Sequence, residues 1–297
     1  MRRTSVILVA LTVVAACGGS GGAGGQLQVV ASTTILGDVV GTILGDRAAL
    51  SVLMPVGADP HAFQASAAQA ARLRDADLIV VNGLGLEEGL EAVIDGAESD
   101  GVPVLEVAPL LRPLSREGGG LDPHVWFDPV RMADAATLIG EALAEADPDR
   151  AEQWRHAASR YREELLELDD RIAAEVAAVP AERRLLVTTH DSLLYFANRY
   201  GFRIVGVMVP GGSTLAEPSA GDLADLIESV GLLDVGAIFA DATRPSDLAL
   251  ALADEAGDSV AVVTLYTGSL GEPGSGADTY PSMLLLDAER IIGALLP

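Results

Sequence analysis

The stretch Asp147–Val179, "DPDRAEQWRHAASRYREELLELDDRIAAEVAAV", decides the architecture. It contains no Gly, its one Pro lies at the start, and its apolar residues recur at helical intervals among charges. The pattern predicts roughly 30 residues of helix, about 45 Å at 1.5 Å per residue. A helix that long is unusual inside one compact domain and reads as a strut between two lobes. Upstream, "LQVVA", "LSVLMPVG" (50–57), "DLIVVNG" (77–83) and "GVPVLEVA" read as strands. They alternate with the helical patterns "STTILGDVVGTILG", "FQASAAQAARLRDA" and "DPVRMADAATLIGEALAEA". Downstream, "RLLVTTH", "RIVGVMV", "VGAIFAD" and "VAVVTLY" repeat the rhythm with helices between them, and "TYPSMLLLDAERIIGALL" is a terminal helix. The run "DLIVVNG" is short and continuously apolar, and such runs alternating with helices are expected of parallel strands covered on both faces. The expected fold is α/β, with two βα lobes built on parallel sheets and joined by a single long helix. The lobes are placed at 26–146 and 181–297, with the helix at 147–180.

The bulk properties restrict the partner. The chain has 297 residues, 49% of them hydrophobic, which is ample for a sizeable core. Acids outnumber bases by 43 to 19, for a formal charge of -24. Such a field repels phosphate backbones, which argues against nucleic acid, and favours a cation. Every basic residue is Arg, a mark of genome composition rather than function.

The N-terminus reads as processing signal. Arg2 and Arg3 precede an apolar run, Val6–Ala16, too short to span a bilayer. It ends in Val14-Ala15-Ala16-Cys17, which resembles a bacterial lipobox. Residues 1–16 are then a signal peptide, Cys17 is the lipidated first mature residue, and 17–25 is a Gly-rich tether. The expectation is an exported protein, anchored by lipid on the extracytoplasmic face. Cys17 is the only Cys, so no internal disulfide exists.

Two of the four histidines occupy copies of one tripeptide, Asp59-Pro60-His61 and Asp122-Pro123-His124. His190 ends the strand "RLLVTTH". All three are expected where strands give way to loops, the usual ligand side of an open α/β sheet. Imidazole suits Zn, Cu, Ni and Fe better than Ca or Mg. Pro60 and Pro123 stiffen their turns. Asp59 and Asp122 sit where a carboxylate can accept a proton from the ring nitrogen that does not bind metal, fixing tautomer and orientation. The plain alternative is turn chemistry, since Asp-Pro-His is also a good generic turn. His156, in the charged strut, reads as solvated.

The segments "DPHAFQASAAQAARLRDADLIVVNGLGLE", "DPHVWFDP", "THDSLLYFANRYG", "EPSAGDLADLIESV" and "GADTYPSMLLLDAERI" resemble, in order and over nearly the whole mature chain, the zinc and manganese receptors of bacterial ABC importers. The resemblance implies a metal buried in the cleft between two lobes and a rigid linking helix. It also implies delivery of the ion, as transported ligand, to a membrane permease driven by a cytoplasmic ATPase, with the receptor acting as a monomer. Carried over, the ligands fall on His61, His124 and His190. Manganese receptors often have Glu at the third position and zinc receptors His, so His190 favours Zn(II), with Mn(II), Fe(II) and Cu(II) left open. One position departs from the pattern: where many relatives place a ligand Asp, this chain has Gly268. Water, Asp241 or Asp278 is left to fill the fourth position, and Asp241 has the second reading of a helix cap or a support for the ligands. The His-rich loop of some zinc receptors is missing as well.

The alternative function is a zinc hydrolase, because three His with an open position is also the pattern of catalytic zinc. Neither an HExxH helix nor a GxSxG elbow is present, so a non-enzymatic receptor is the expectation. Cys17→Ser is expected to release the protein from membranes, as read by fractionation of cells. Undiminished membrane association would overturn the lipid anchor.

Overall fold

The computed structural model describes residues 26–296, apart from 118, 217, 234, 258 and 259. The expected signal peptide, Cys17 and the expected tether lie outside the described residues. Chain order is strand, helix, strand from the outset. The first lobe contains β1 (Gln28–Ala31), α1 (Thr34–Leu44), β2 (Ala49–Val52), α2 (Ala67–Arg74), β3 (Leu78–Val81), α3 (Glu91–Ser99) and β4 (Val104–Glu106). Thr33 caps α1 by accepting from the Leu36 N–H, and Ser66 with Gln69 forms a capping box on α2. All strands are parallel, in the order β2-β1-β3-β4. The strand expected over 50–57 ends early, at Val52. Leu53 and Met54 still donate to Ala31 and Ser32, but Pro55 has no N–H to continue the ladder. The sequence reading missed α3, because Gly89 and Gly96 interrupt its helical pattern.

Two helices, α4 (Pro129–Ala146) and α5 (Ala151–Val176), lead to the second lobe. That lobe contains β5 (Leu185–His190), α6 (Leu194–Tyr200), β6 (Arg203–Val209), α7 (Ala220–Leu232), β7 (Ala237–Asp241), α8 (Asp247–Ala256), β8 (Ala261–Leu265) and α9 (Tyr280–Leu295). Its strands are parallel too, in the equivalent order β6-β5-β7-β8. Each sheet therefore reverses its winding beside its first strand, between β1 and β3 and between β5 and β7. Crevices that accept ligands open at such points.

The long helix α5 is 26 residues, about 39 Å. It is shorter than expected because Pro148–Arg150 forms a separate 3-10 turn. Nor is it a bare strut. It folds back on α4 so closely that a Cβ at Gly140 would lie 2.4 Å from the Ala158 Cβ. Trp154, Tyr161, Leu165 and Ile172 form its buried stripe, which packs on α1 of the first lobe and α9 of the second. One continuous apolar core consequently runs from Leu27 to Leu295 through α5. Two smaller cores lie on the sheet faces turned away from it. Buried Asp169 of α5 also accepts from Arg199 Nε at 2.8 Å and from the Tyr200 hydroxyl at 3.0 Å, tying α6 to the same helix. His156 is exposed on the opposite face.

A buried carboxyl joins β8 to α9. Asp287 accepts from the Tyr266 N–H with both oxygens, at 3.0 and 3.1 Å. Burial pushes its pKa up to about 7, against the lowering effect of that backbone bond. An unfolded Asp titrates near 3.9, so the native state binds more protons between about pH 4 and 7, and the contribution of Asp287 to stability falls as pH rises through that window. Denaturant unfolding of wild type and Asp287→Asn across this range is expected to show wild type losing ground to the variant as pH rises. A difference independent of pH would contradict the raised pKa.

Candidate metal centre

Each Asp-Pro-His tripeptide folds as a tight turn in which the Asp accepts from the main chain of its own His. Asp59 Oδ1 accepts the His61 N–H at 3.0 Å, and Asp122 Oδ1 accepts the His124 N–H at 2.8 Å. The second turn is held from both lobes. Asn82, just past β3, donates to the Pro123 carbonyl at 2.9 Å. From the second lobe, the Tyr195 hydroxyl donates to the Asp122 carbonyl at 2.7 Å and the Tyr280 hydroxyl to the Trp126 carbonyl at 2.8 Å. The Trp126 indole in turn donates to the Thr267 carbonyl at 3.0 Å. His190 is the last residue of β5, beside the crevice. His124 does not directly follow a strand: a long loop separates it from the end of β4.

The structure brings the three predicted rings together. His61, His124 and His190 are all buried, with ring centroids 4.9–5.6 Å apart. His124 Nε2 lies 3.0 Å from His190 Nε2 and 3.5 Å from His61 Nε2. One ligand atom from each ring lies within 4.8 Å of the others. Nitrogens bound tetrahedrally at 2.0–2.1 Å would stand roughly 3.3 Å apart, close to the 3.0 and 3.5 Å separations that His124 makes with the other two rings. The enclosed space measures about 10 Å³, on the scale of a single water.

Electrostatics favour the same occupant. Burial lowers the pKa of all three imidazoles, His124 and His190 well below the usual value; the His61 ring lowers these two further, and the His124 ring adds to the effect on His190. The rings are therefore neutral at neutral pH, the state a metal requires. Among the described residues, the Nδ1 atoms of His61 and His190 have no hydrogen-bond partner. Protons on them leave Nε2 lone pairs converging on one point, an arrangement that a cation relieves.

The two aspartates differ from each other. Asp122 Oδ1 lies 2.7 Å from His124 Nδ1, as the sequence predicts. Burial raises the Asp122 pKa to about 7, against backbone and cationic neighbours. Asp59 does not reach its own ring: its second oxygen is taken by the Thr214 hydroxyl at 2.6 Å. The carboxylate facing His61 Nδ1 is Glu88, at 3.6 Å, longer than a hydrogen bond. Sequence reasoning did not single out Glu88. The only sign of it was a pair of acids, Glu87-Glu88, just past an apolar strand. Its neighbour Glu87 is buried and accepts from Ser32, Asn82 and Gly83, which pins that loop.

The candidates for a fourth ligand also separate. Asp241 ends β7 and lines the cavity. Its Oδ1 is held by the Thr243 N–H at 2.8 Å and the Thr243 hydroxyl at 2.9 Å, and burial raises its pKa. It is not among the groups whose ligand atoms converge. Asp278 is exposed and accepts from the Gly274 N–H at 3.1 Å, so the Gly-rich loop does not carry it inward. Gly268 forms part of the cavity wall, where a Cβ would come within 2.9 Å of Pro60 Cδ. The packing leaves no room for a side chain.

Comparison with known proteins gives one consistent result. The family described as "Zinc-uptake complex component A periplasmic" matches residues 29–294. The manganese-binding lipoprotein MntA of Halalkalibacterium halodurans is 32% identical over 98% of this chain and 97% of its own length. The zinc-binding protein TroA of Treponema pallidum is 32% identical over 92% of this chain and 90% of its own length. The solved TroA structure superposes with a TM-score of 0.87 at 31% identity, covering 92% of this chain and all of that one.

Asp122→Asn replaces an acceptor of the His124 ring proton with a group that can turn a donor toward it. Metal affinity, measured by calorimetry with a competing chelator, is expected to fall about 10–100-fold. Wild-type affinity would show that Asp122 does not support the ring.

Proposed function

The chain belongs to the zinc-uptake component A family of metal-binding receptors of ABC importers, and from that premise we propose that its ion is zinc, bound by His61, His124 and His190. The observation that carries this reading is the donor set: three buried neutral imidazoles meet at one point with no carboxylate oxygen among them. Manganese prefers carboxylate, carbonyl and water oxygens, whereas zinc suits imidazole and tetrahedral geometry. Relatives named for zinc and for manganese stand equally close in identity, so the donors have to decide. A water completes the tetrahedron, with Asp241 in the wall rather than on the ion.

The receptor takes zinc outside the cytoplasm and hands it, as a monomer, to a permease driven by a cytoplasmic ATPase. Cys17 supplies the membrane anchor. What weighs against a zinc hydrolase is the family match over residues 29–294, which is to a zinc-uptake component.

Calorimetry with a competing chelator tests the assignment. Zinc is expected to bind tightly, manganese to compete poorly at equal concentration, and His61→Ala and His124→Ala each to weaken zinc at least tenfold. Asp241→Ala weakens it less than either. Because burial holds the ring pKa values below the ordinary 6.5, affinity is expected to persist through pH 6.5 and to fall only at more acidic pH, as the rings take up protons. Manganese bound as tightly as zinc would overturn the reading.

A further inference from the structure

We propose that the second-lobe loop Gly211–Ala216 is a clasp that holds His61 in the site, and that Ser213 and Thr214 are positioning residues that set the rate of metal release. This rests on the reading of the three histidines as a zinc site. The three ligands are not held alike. The His124 turn is bonded to Asn82 of its own lobe and to Tyr195 of the other, and the residue two places on, Trp126, to Tyr280 and Thr267. His190 is inside a sheet, on the strand paired to both β6 and β7. His61 sits in the loop between β2 and α2, and among the described residues its ring has no hydrogen-bond partner at Nδ1.

Two acids flank His61, and each is gripped by a neighbouring hydroxyl of one loop from the opposite lobe. Thr214 donates to Asp59 Oδ2 at 2.6 Å, while Asp59 Oδ1 holds the His61 main chain. Ser213 donates to Glu88 Oε1 at 2.6 Å, the same oxygen that stands 3.6 Å from His61 Nδ1. Arg116 of the first lobe donates to the Gly211 carbonyl, and Arg244 donates to the Thr214 carbonyl. The loop thus fastens both the backbone and the ring side of one ligand.

The loop also has the form of a movable wall. It opens on Gly211 and Gly212, at φ 108° and 74°, which glycine alone adopts readily. Arg116 lies across Gly212 where any Cβ would collide with it. Thr214 lines the metal cavity on one side. On the other side it lines, with His190, Met208 and Arg244, an open cleft of about 500 Å³. Lifting the loop would join cavity and cleft and free His61 while His124 and His190 stay in place, so that the ion leaves by losing this ligand first.

Zinc-loaded full-length protein, mixed rapidly with excess chelating dye, gives the release rate directly. Ser213→Ala with Thr214→Val is expected to speed release at least tenfold with the association rate within about twofold of wild type. Ser213→Thr with Thr214→Ser, which keeps both hydroxyls, is expected to restore slow release. Ser213 is only half-buried, so Ser213→Ala alone serves if the double variant folds poorly, with a smaller acceleration in the same direction. Release at the wild-type rate from the hydroxyl-free variants, or equally fast release from the hydroxyl-keeping pair, would sink the clasp. Failure of the wild type to bind zinc would instead sink the assignment of the metal.

Discussion

The packing of α5 against both lobes constrains everything else in this molecule. Its stripe of Trp154, Tyr161, Leu165 and Ile172 belongs to the core of each lobe at once. Swinging the lobes apart would expose many such side chains, and each buried Leu, Ile or Phe brought into water costs roughly 1.5–3 kcal/mol. Opening the loop at Ser213 and Thr214 breaks at most four hydrogen bonds to charged groups, those to Asp59, Glu88, Arg116 and Arg244, worth about 1.5–3 kcal/mol each. The small motion is therefore the accessible one. Ligand exchange in this receptor is a matter of one loop and one histidine rather than of two hinged halves.

The same packing shapes the chemistry of the site. Trp126 reaches across to the Thr267 carbonyl, and Pro60 lies against Gly268, so the two lobes meet at the cavity with no gap for another side chain. A carboxylate at position 268 would need the first Asp-Pro-His turn to move away. Its absence leaves a donor set of nitrogen alone, and the neutral state of those nitrogens follows from the same burial that closes the space.

Much of this was legible in the sequence. The strands and the long helix announced themselves by period, and the repeated tripeptide marked His61 and His124 because two histidines in one rare context are hard to explain as surface. His190 was legible from its place at the end of an apolar run. Asp122 stands against its own ring whereas Asp59 is taken by Thr214, since identical local sequence cannot tell which carboxylate another lobe will occupy. Glu88 was hidden for a related reason: its role comes from Ser213, which follows it by 125 residues. The helix α3 was lost to its glycines, and the fourth-ligand question turned on a contact with Pro60 that no spacing encodes.

The continuous core has a consequence for how the chain acquires its shape. The helix α1 follows the first strand, yet the Asp38 carboxylate within it accepts from the Tyr280 N–H at 2.8 Å, at the start of the last helix. Contacts so distant along the chain are slow to form. A growing polypeptide therefore holds no finished half until its final residues are present, and either lobe expressed alone would bare a face meant for the other. Under the export proposed for this receptor, in which the chain is threaded through a membrane before it folds, that late completion is an advantage.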